Sequence, residues 1–295
     1  MSKIIYINGN FSKADEARVS PFNRGLLYGD GFFETMRSYD GKIFALNEHY
    51  ERLSATANFL KIPLPFKCDE LRNILMQLLE LNSLTEIDSR IRMTLMRGEG
   101  AAGLFPDESA EAELIVSADA VPGDVEKIQR AGIKLSLLDN MTIDHRSPLV
   151  SHKTVNYMPG ILGLMEVRKK GGDEGLFVNN DGKVAEGITS NIFAVKNGVV
   201  MTPPLSAGIL SGITRGIAIK VARMSGIAIE EKDMTIEDML RAEELFITSS
   251  VREIVPVISF EGKTYTVGPL TKRMQAEYKS YVKHVLEKEA GGQGE

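Results

Sequence analysis

Apolar and polar residues alternate along several short stretches of the chain, which is the spacing of β-strands. Polar and apolar side chains alternate over residues 90–95, so we predict a half-buried strand over residues 89–96, and residues 32–38 are predicted to form another. The pairs Asn8-Gly9 and Asp40-Gly41 favour tight turns between strands. The first part of the chain is therefore predicted to contain β-hairpins.

Other stretches carry apolar residues at helical spacing. We predict a helix over residues 48–60, with Asn47 as its N-cap, and a second helix over residues 69–81. Further helices are predicted over residues 213–224 and 271–288. Short apolar strands with turn signals lie between them, so strands and helices alternate in the second half.

The chain is interrupted by a Pro-Gly-Asp stretch that ends at residue 124. We therefore predict a small N-terminal α/β domain over residues 1–119, a linker over residues 120–127 and a larger domain over residues 128–295. The mixture of strands and helices in both parts predicts the α/β (α+β) class, with a cleft between the domains.

The bulk composition excludes several classes of protein. The 295 residues are 43% hydrophobic and 25% charged, with a formal net charge of −5 and no long basic block. We therefore expect no nucleic-acid or membrane partner, and no apolar run is long enough to cross a bilayer. The single cysteine, Cys68, excludes an internal disulfide and favours a cytoplasmic location. The four histidines lack metal-ligand spacing, so no metal site is predicted.

The stretch with the most chemical content is Ser-His-Lys-Thr-Val-Asn-Tyr at residues 151–157, between a predicted strand and a predicted helix. A lysine at such a junction can be held with its amine in a cleft. Burial there lowers the pKa of the amine and makes it nucleophilic. Tyr157 follows Lys153 by four residues, so both side chains can face one site. The alternative is an ordinary solvated lysine.

Two later stretches are suited to binding a phosphate. Residues 210–214 enter a predicted helix, whose N–H groups and dipole attract anions, although plain N-capping by Ser211 is the alternative. Ser249 and Ser250 follow an apolar strand, where α/β proteins often bind ligands, although a polar turn has the same composition. Arg52 on a predicted helix can supply a positive charge, unless it is simply solvated.

Glu186 lies between two predicted strands. A glutamate that stays ionised there can pair with a protonated pyridine nitrogen and make the ring a better electron sink, although loop glutamates more often face solvent. With Lys153, Tyr157 and the phosphate-binding stretches, it completes the groups that are needed to hold pyridoxal 5′-phosphate. We therefore predict this cofactor.

The chain resembles the class IV aminotransferases, the fold-type IV group of pyridoxal-phosphate enzymes. The group includes branched-chain amino-acid aminotransferases, D-amino-acid aminotransferases and aminodeoxychorismate lyase. The resemblance covers nearly the whole chain. The matching motifs are Tyr28-Gly29-Asp30-Gly31-Phe32-Phe33-Glu34, His152-Lys153-Thr154-Val155-Asn156-Tyr157, Glu186-Gly187 with Ser190-Asn191, and Leu205-Ser206-Ala207-Gly208-Ile209-Leu210-Ser211-Gly212-Ile213-Thr214. The resemblance implies a small N-terminal α/β domain, a larger domain with a barrel-like sheet, and a homodimer.

The resemblance also implies a role for each matched residue. Lys153 is the expected catalytic, Schiff-base lysine. Glu186 is the expected partner of the pyridine nitrogen, and Tyr157 that of the cofactor's phenolic oxygen. Leu210 is expected against the ring face, and Arg52 at the phosphate. The complete implied cofactor-binding set is Arg52, Lys153, Tyr157, Glu186, Asn191, Leu210, Gly212, Ile213, Thr214, Ser249 and Ser250.

The substrate is expected to be an amino acid with a 2-oxo acid as its acceptor. The candidate substrate-binding residues are Tyr28, Phe33, Arg92 and Arg97. Arg92 falls where branched-chain enzymes carry an arginine, and the arginines expected of D-enzymes and of the lyase are absent from the following loop, which carries Ala101 and Ala102. The run Gly29-Asp30-Gly31 instead resembles the lyase and D-enzyme groups. We therefore expect transfer between branched-chain-type hydrophobic L-amino acids and 2-oxoglutarate. Aminodeoxychorismate lyase and a D-amino-acid or (R)-amine transaminase are the alternatives.

Overall fold

The computed structural model describes residues 2–100, 103–106 and 110–291. The chain forms two compact units. The first extends to Val121 and also includes His152–Asn156, whereas the second comprises Pro122–Ser151 and the chain from Tyr157 onward. The predicted domain boundaries stay a prediction. The return of His152–Asn156 to the first unit has no counterpart in that predicted division.

The first unit contains an antiparallel six-stranded sheet with three helices. The sheet order is β2-β1-β6-β5-β3-β4. Its strands are β1 (Ile4–Ile7), β2 (Asn10–Lys13), β3 (Gly31–Tyr39), β4 (Lys42–Ile43), β5 (Ser89–Met96) and β6 (Glu113–Ala120). Its helices are α1 (Arg24–Tyr28), α2 (Leu46–Leu60) and α3 (Cys68–Leu81).

Both predicted hairpin turns of the first unit are confirmed. Asn8 and Gly9 have φ angles of 46° and 90°, and they join β1 to β2. Asp40 and Gly41 have φ angles of 46° and 75°, and they join β3 to β4. Two consecutive positive φ angles match the right-handed twist of the flanking strands, which is why asparagine, aspartate and glycine occupy these positions.

The predicted start of α2 is wrong. The helix begins at Leu46 and its N-cap is Ala45, which has a φ of 55°, whereas Asn47 lies inside the first turn. The Asn47 amide oxygen instead accepts a hydrogen bond from the Cys68 thiol at the start of α3, with Sγ and Oδ1 3.4 Å apart. Leu46 is only 2% exposed, so burial of this apolar side chain outweighs the local capping preference.

One face of the first sheet is the core of this unit. Phe32 and Met36 of β3 belong to this core, together with leucines of α3. Because side chains alternate along a strand, Glu34 projects from β3 toward the same side as these two residues. A carboxylate is thereby placed in an apolar core, where it requires charged or N–H partners.

The second unit is built on a nine-stranded sheet, in the order β12-β11-β10-β13-β14-β7-β8-β9, with β15 paired to β14. The strands are β7 (Ile133–Ile143), β8 (Glu174–Asn179), β9 (Val184–Gly187), β10 (Asn191–Lys196), β11 (Val199–Thr202), β12 (Ile229–Glu231), β13 (Glu244–Ser249), β14 (Glu253–Phe260) and β15 (Lys263–Thr264). Parallel and antiparallel pairs are mixed in this sheet. The predicted α+β class with a barrel-like sheet is confirmed.

Helices and two short 3-10 turns complete the second unit. They are α4 (Val125–Ala131), α5 (Met158–Lys169), α6 (Ile213–Met224), α7 (Ile236–Arg241) and α8 (Pro269–Gly291), with 3-10 turns at Pro148–Ser151 and Leu205–Ala207. Within the part of the chain that the structure describes, none of the helices is both long enough and apolar enough to cross a bilayer.

Strand pairing brings two loops of the second unit to the same end of its sheet. Asn191, the first residue of β10, pairs with Thr248 near the end of β13. The loop between β9 and β10 therefore lies beside the turn that follows β13. These two loops, with the strand ends that they join, carry the predicted residues Glu186, Ser249 and Ser250.

Candidate active site

Backbone hydrogen bonds attach the Lys153 segment to β3 of the first sheet. The N–H of Phe33 donates to the Lys153 carbonyl over 2.9 Å, and the N–H of Val155 donates to the Gly31 carbonyl over 3.0 Å. Thr154 forms an isolated antiparallel bridge with Phe32. The lysine is thus held as an extension of the sheet, and the residue is half-buried.

Two cations contact the ring of Phe33. The Lys153 Nζ lies 4.5 Å from the ring centroid, and the Arg92 Cζ lies 3.8 Å from it. Arg92 pairs with Thr35, two residues beyond Phe33 on β3, so Arg92 and Phe33 lie on the same face of the sheet. The Lys153 amine, the Phe33 ring and the Arg92 guanidinium are therefore adjacent within the first unit.

The other face of β3 holds a buried ionic cluster. Glu34 is 1% exposed, and its carboxylate accepts hydrogen bonds from Arg52 Nε over 2.7 Å and from a terminal Arg52 nitrogen over 2.6 Å. The Nδ1 atom of His49 lies 2.8 Å from the same carboxylate and donates to it, because an ionised carboxylate only accepts. Although burial acts in the opposite direction, Arg52 and His49 lower the pKa of Glu34 to about 2. The Arg52 guanidinium is thereby oriented by a carboxylate of its own unit.

His152, the residue before Lys153, packs on α2. Its ring stacks on Phe59 at a centroid distance of 4.2 Å, and its Nδ1 lies 3.0 Å from the Thr56 hydroxyl oxygen. Partial burial lowers the pKa of His152 below its usual value. The segment that carries the lysine is therefore attached both to β3 and to the helix that carries Arg52.

The predicted substrate residues Arg97 and Tyr28 belong to a second ionic cluster of the first unit. Arg97 is 8% exposed, and it donates to the carboxylate of Asp30 and to the carbonyls of Leu60 and Lys61. Arg24 donates to the same Asp30 carboxylate, and its guanidinium lies 5.0 Å from the ring centroid of Tyr28. Although burial acts in the opposite direction, Arg97 and Arg24 together hold the pKa of Asp30 below its usual value.

These contacts bear on where a substrate can bind. The three hydrogen bonds of Arg97 favour a structural role for this residue over contact with a substrate carboxylate, whereas Tyr28 remains 40% exposed. Ala101 and Ala102, in the loop that follows Arg97, lie outside the described residues. The substrate-binding roles of Arg97 and Tyr28 stay predictions.

In the second unit, Glu186 is held by neighbours that the sequence motifs also contain. Its Oε2 accepts a hydrogen bond from the Asn191 amide over 3.0 Å and one from the Leu210 backbone N–H over 3.1 Å. The same Asn191 nitrogen donates to the Leu210 carbonyl over 3.0 Å. The carboxylate of Glu186 is therefore held in place by two N–H donors.

The helix predicted to bind phosphate begins as expected, but its N-cap is Gly212 and not Ser211. Gly212 has no side chain that could cap α6, and the first N–H groups of any α-helix have no partner within the helix. A Cβ on Gly212 would overlap the Asn191 amide oxygen, so only glycine fits beside Asn191. Ile213 and Thr214 occupy the first turn, and Thr214 is 4% exposed.

The end of β13 adds hydroxyl groups to the same region of the second unit. Ser249 is the last residue of β13, Ser250 begins the turn that follows, and both are half-buried. The hydroxyl of Thr248 is buried and has no hydrogen-bond partner among the described residues. Hydroxyls, a helix N-terminus and a fixed carboxylate form a donor and acceptor set that fits a phosphorylated pyridine.

Tyr157 is the N-cap of α5, so its side chain lies at the start of a helix of the second unit. Lys153 is thus assigned to the first unit and Tyr157, four residues later, to the second. Within the described residues, no cluster of three or more histidine, cysteine, aspartate or glutamate side chains is suited to hold a metal ion.

Some residues that shape the candidate site were missed by the sequence analysis. Glu34 orients Arg52, and His49 binds the same carboxylate. Glu34 could have been noticed in the sequence, because it is a charged residue at an inward-facing position of an otherwise apolar strand. Glu174 and Arg252 hold the two loops of the second unit, and they lie 78 residues apart. That separation leaves no local pattern that would reveal the pair.

Comparison with known proteins identifies the family. The model of the family described as Amino-transferase class IV matches residues 31–260. This chain belongs to the class IV aminotransferases. A provisionally named branched-chain-amino-acid aminotransferase of Methanocaldococcus jannaschii is 38% identical over 278 residues, which cover 93% of this chain and 95% of that protein. The aminodeoxychorismate lyase of Bacillus subtilis is 32% identical over 290 residues, 98% of each chain.

A solved structure supports the cofactor of this aminotransferase. The T.th. branched-chain amino acid aminotransferase, in complex with N-(5′-phosphopyridoxyl)-L-glutamate, is 29% identical and superposes with a TM-score of 0.87, over 96% of this chain and 94% of that one. The present chain is accordingly a pyridoxal-phosphate-dependent aminotransferase with the fold of that group.

Replacement of Glu34 by glutamine is expected to lower stability in a pH-dependent manner. The pKa of Glu34 is about 2 in the folded protein and 4.5 without its partners, so its contribution is complete above pH 4.5 and is lost as the pH falls toward 2. We expect Glu34→Gln to lower the free energy of unfolding by about 3 kcal/mol at pH 7. Denaturant unfolding of both proteins from pH 7 to pH 2 measures this difference.

The difference between the two proteins should shrink as the pH approaches 2. Glu51→Gln, at an exposed position of α2, the helix that carries Arg52 and His49, is the control and should leave stability unchanged. A difference between wild type and Glu34→Gln that is the same at every pH would contradict the assigned ionic cluster.

Gly212→Ala is expected to weaken cofactor binding. The new methyl group would displace the Asn191 amide, which donates to both Glu186 and the Leu210 carbonyl. Loss of these bonds should raise the dissociation constant of pyridoxal phosphate about tenfold. Absorbance titration of the cofactor-free protein measures that constant.

The matched control is Gly216→Ala, one turn later in α6. Its new methyl group would have no neighbouring atom within 4 Å, so the affinity should be unchanged. Equal affinities in all three proteins would refute the proposed role of Gly212.

Proposed function

We propose that this aminotransferase transfers the amino group between branched-chain or other hydrophobic L-amino acids and 2-oxoglutarate. The observation that carries the proposal is the ring of Phe33, which contacts both the Lys153 amine and the Arg92 guanidinium. The ring offers an apolar surface to a hydrophobic side chain, and Arg92 offers a second cation to a dicarboxylic acceptor. The similarity to branched-chain enzymes supports this choice.

Each residue of the site acts on the cofactor or on a proton. When bound, pyridoxal phosphate supplies an aldehyde that condenses with amines and a ring that accepts the electron pair left at the substrate α-carbon. We propose that Lys153 Nζ holds the cofactor at rest and then moves the proton from the substrate α-carbon. The Glu186 carboxylate would keep a proton on the pyridine nitrogen of the bound cofactor, and Tyr157 would hydrogen-bond its phenolic oxygen.

The remaining cofactor residues bind and orient the phosphate and the ring. Arg52, oriented by Glu34, would supply a cation to the phosphate, and the first turn of α6 would supply N–H groups. Leu210 would pack against the ring, and Asn191 keeps Glu186 in position. The proposed phosphate ligands are Arg52, Gly212, Ile213, Thr214, Ser249 and Ser250.

We also propose that the enzyme acts as a homodimer in the cytoplasm, as the resemblance and the single cysteine suggest. Helix α5 exposes five large apolar side chains on its surface. They are Met158, Ile161, Leu162, Leu164 and Met165, and all of them except Leu164 are at least 49% exposed. An exposed apolar stripe of this kind is typical of a protein interface.

Aminodeoxychorismate lyase activity is the second candidate. It is favoured by the 32% identity to the Bacillus subtilis lyase over 98% of the chain and by the lyase-like run Gly29-Asp30-Gly31. Asp30 of this run is paired with Arg24 and Arg97, which supports a structural role for it. The experiment below distinguishes the two activities.

The absorption band of the bound cofactor is expected to respond to L-amino acids. Addition of L-leucine or L-valine should bleach the yellow band, and 2-oxoglutarate should restore it, because the amino group is first taken up and then passed on. D-Alanine should leave the band unchanged. The spectrum of the purified protein, recorded before and after each addition, is the measurement.

The Lys153→Ala variant should show no turnover in the same experiment. Its matched control is Lys169→Ala, at an exposed position, which should behave like wild type. Bleaching by D-alanine would move the assignment to the D-selective enzymes. A band that no amino acid bleaches, with release of p-aminobenzoate from aminodeoxychorismate, would establish the lyase instead.

Arg92→Leu is expected to impair the dicarboxylic acceptor selectively. The KM for 2-oxoglutarate should rise about tenfold, whereas the KM for 2-oxoisocaproate, which has one carboxylate, should change little. Steady-state kinetics with both acceptors measures the ratio. The matched control is Arg90→Leu, two residues earlier on the same face of β5, where the arginine pairs with Asp119. An equal rise of KM for both acceptors would show that Arg92 does not select the second carboxylate.

A further inference from the structure

One buried carboxylate joins the two loops at the end of the second sheet. Glu174 of β8 is 2% exposed, and its Oε2 accepts hydrogen bonds from an Arg252 terminal nitrogen over 2.7 Å and from the Thr189 hydroxyl over 2.8 Å. Its Oε1 accepts from the Thr189 backbone N–H over 3.2 Å. The same Arg252 nitrogen also donates to the Thr189 hydroxyl oxygen over 2.9 Å. We call Glu174, Thr189 and Arg252 the loop clamp.

The loop clamp connects segments that carry opposite ends of the proposed cofactor site. Thr189 lies in the loop between Glu186, the proposed partner of the ring nitrogen, and Asn191, which holds it. Arg252 lies in the turn that begins with Ser250, a proposed phosphate ligand. Neither Thr189 nor Arg252 is itself a proposed ligand, so both would act through their neighbours in the chain.

The turn that carries Arg252 is also held by its backbone. Glu253, the first residue of β14, has a φ of 57°, in the left-handed region where glycine is the usual residue. The Gln129 amide donates to the Arg252 carbonyl and to the Glu253 carboxylate, both over 3.0 Å. Gln275 in turn donates to the Gln129 carbonyl over 2.9 Å. The Arg252 backbone is therefore fixed, and its side chain is the part that reaches the other loop.

Electrostatics makes the Arg252 side chain necessary to this arrangement. Glu174 is buried, and Arg252 is the cation whose ion pair with it is found in the structure. A buried carboxylate that loses its cation must take up a proton, rearrange or admit water. Each of these responses would release the Thr189 loop or the Ser250 turn from its present position.

We propose that Arg252 is a positioning residue for pyridoxal phosphate: through the loop clamp it holds the phosphate-binding turn in a fixed position relative to the loop that follows Glu186. This inference rests on the proposed assignment of Glu186 and Ser250 to the two ends of the cofactor. It adds residues that are not themselves proposed ligands of either end, and it predicts that the two ends of the site are coupled to each other.

The test compares the affinity of wild type and Arg252→Met for pyridoxal phosphate and for pyridoxal, which lacks the phosphate. If the clamp positions the phosphate-binding turn, the variant should bind pyridoxal phosphate about tenfold more weakly, with a clearly smaller loss for pyridoxal. Because the loop that joins Glu186 to Asn191 is released as well, the absorption band of the bound cofactor should shift in wavelength. Both quantities come from absorbance titration of the cofactor-free full chain.

Two further variants separate positioning from a general loss of structure. Arg252→Lys retains the cation and should recover part of the affinity. Thr189→Val retains the side-chain shape but removes the hydroxyl, and it should reproduce the Arg252→Met effect in part, even if Arg252→Met fails to fold. Arg241→Met, which breaks an exposed arginine–glutamate pair with Glu237 in α7, is the matched control and should bind like wild type.

Two outcomes would overturn the proposal. One is an Arg252→Met protein that binds pyridoxal phosphate as tightly as wild type with an unshifted band. The other is an equal loss of affinity for pyridoxal phosphate and for pyridoxal without a band shift, since a merely structural residue would act in that way. The experiment uses no amino donor, so an error in the proposed substrate cannot produce either outcome.

Discussion

A carboxylate inside an apolar core must be matched by cations or N–H donors, and this requirement organises the first unit of the enzyme. Glu34 projects from β3 between Phe32 and Met36, and it is compensated by Arg52 and His49 of α2. The position of α2 on the sheet is thereby determined by charge as well as by apolar contact. Phe33, the neighbouring residue, projects to the opposite face, where it meets the Lys153 amine. One strand thus orients the proposed phosphate ligand on one face and supports the proposed catalytic lysine on the other.

The second unit uses the same principle with a different geometry. Glu174 and Glu186 are each held by backbone N–H groups and by side chains near the paired ends of β10 and β13. Glu186 accepts hydrogen bonds from the Asn191 amide and the Leu210 N–H, and these bonds hold it for its proposed role as partner of a ring nitrogen. Glu174 forms an ion pair with Arg252, and this ion pair connects the two loops. In both units a charge that is costly to bury decides where functional side chains lie.

Much of the local structure was predictable because it depends on residues that are adjacent in sequence. The two hairpin turns follow from asparagine or aspartate beside glycine, and β5 follows from the alternation of polar and apolar side chains over residues 90–95. The start of α2 was mispredicted because burial of Leu46 prevails over the capping preference of Asn47. At α6 the helix was predicted correctly, but Gly212 replaces Ser211 as N-cap, since the backbone there must approach the Asn191 amide closely. Local propensity therefore failed where a long-range contact competed with it.

The sequence by itself determined the family, the cofactor and the identity of the residues expected to hold it, because those residues stand in short motifs whose order is preserved along the chain. The tertiary structure alone decided how these residues are supported. It assigned the Lys153 segment to the first unit by pairing it with β3, although Tyr157 belongs to the second. It directs the Arg97 guanidinium to the backbone carbonyls at the end of α2, to which Arg97 donates hydrogen bonds. It also pairs Glu174 with Arg252, which lies 78 residues later in the chain. Motifs record which chemical groups are present, whereas burial and pairing between distant segments decide which of those groups are available to a ligand.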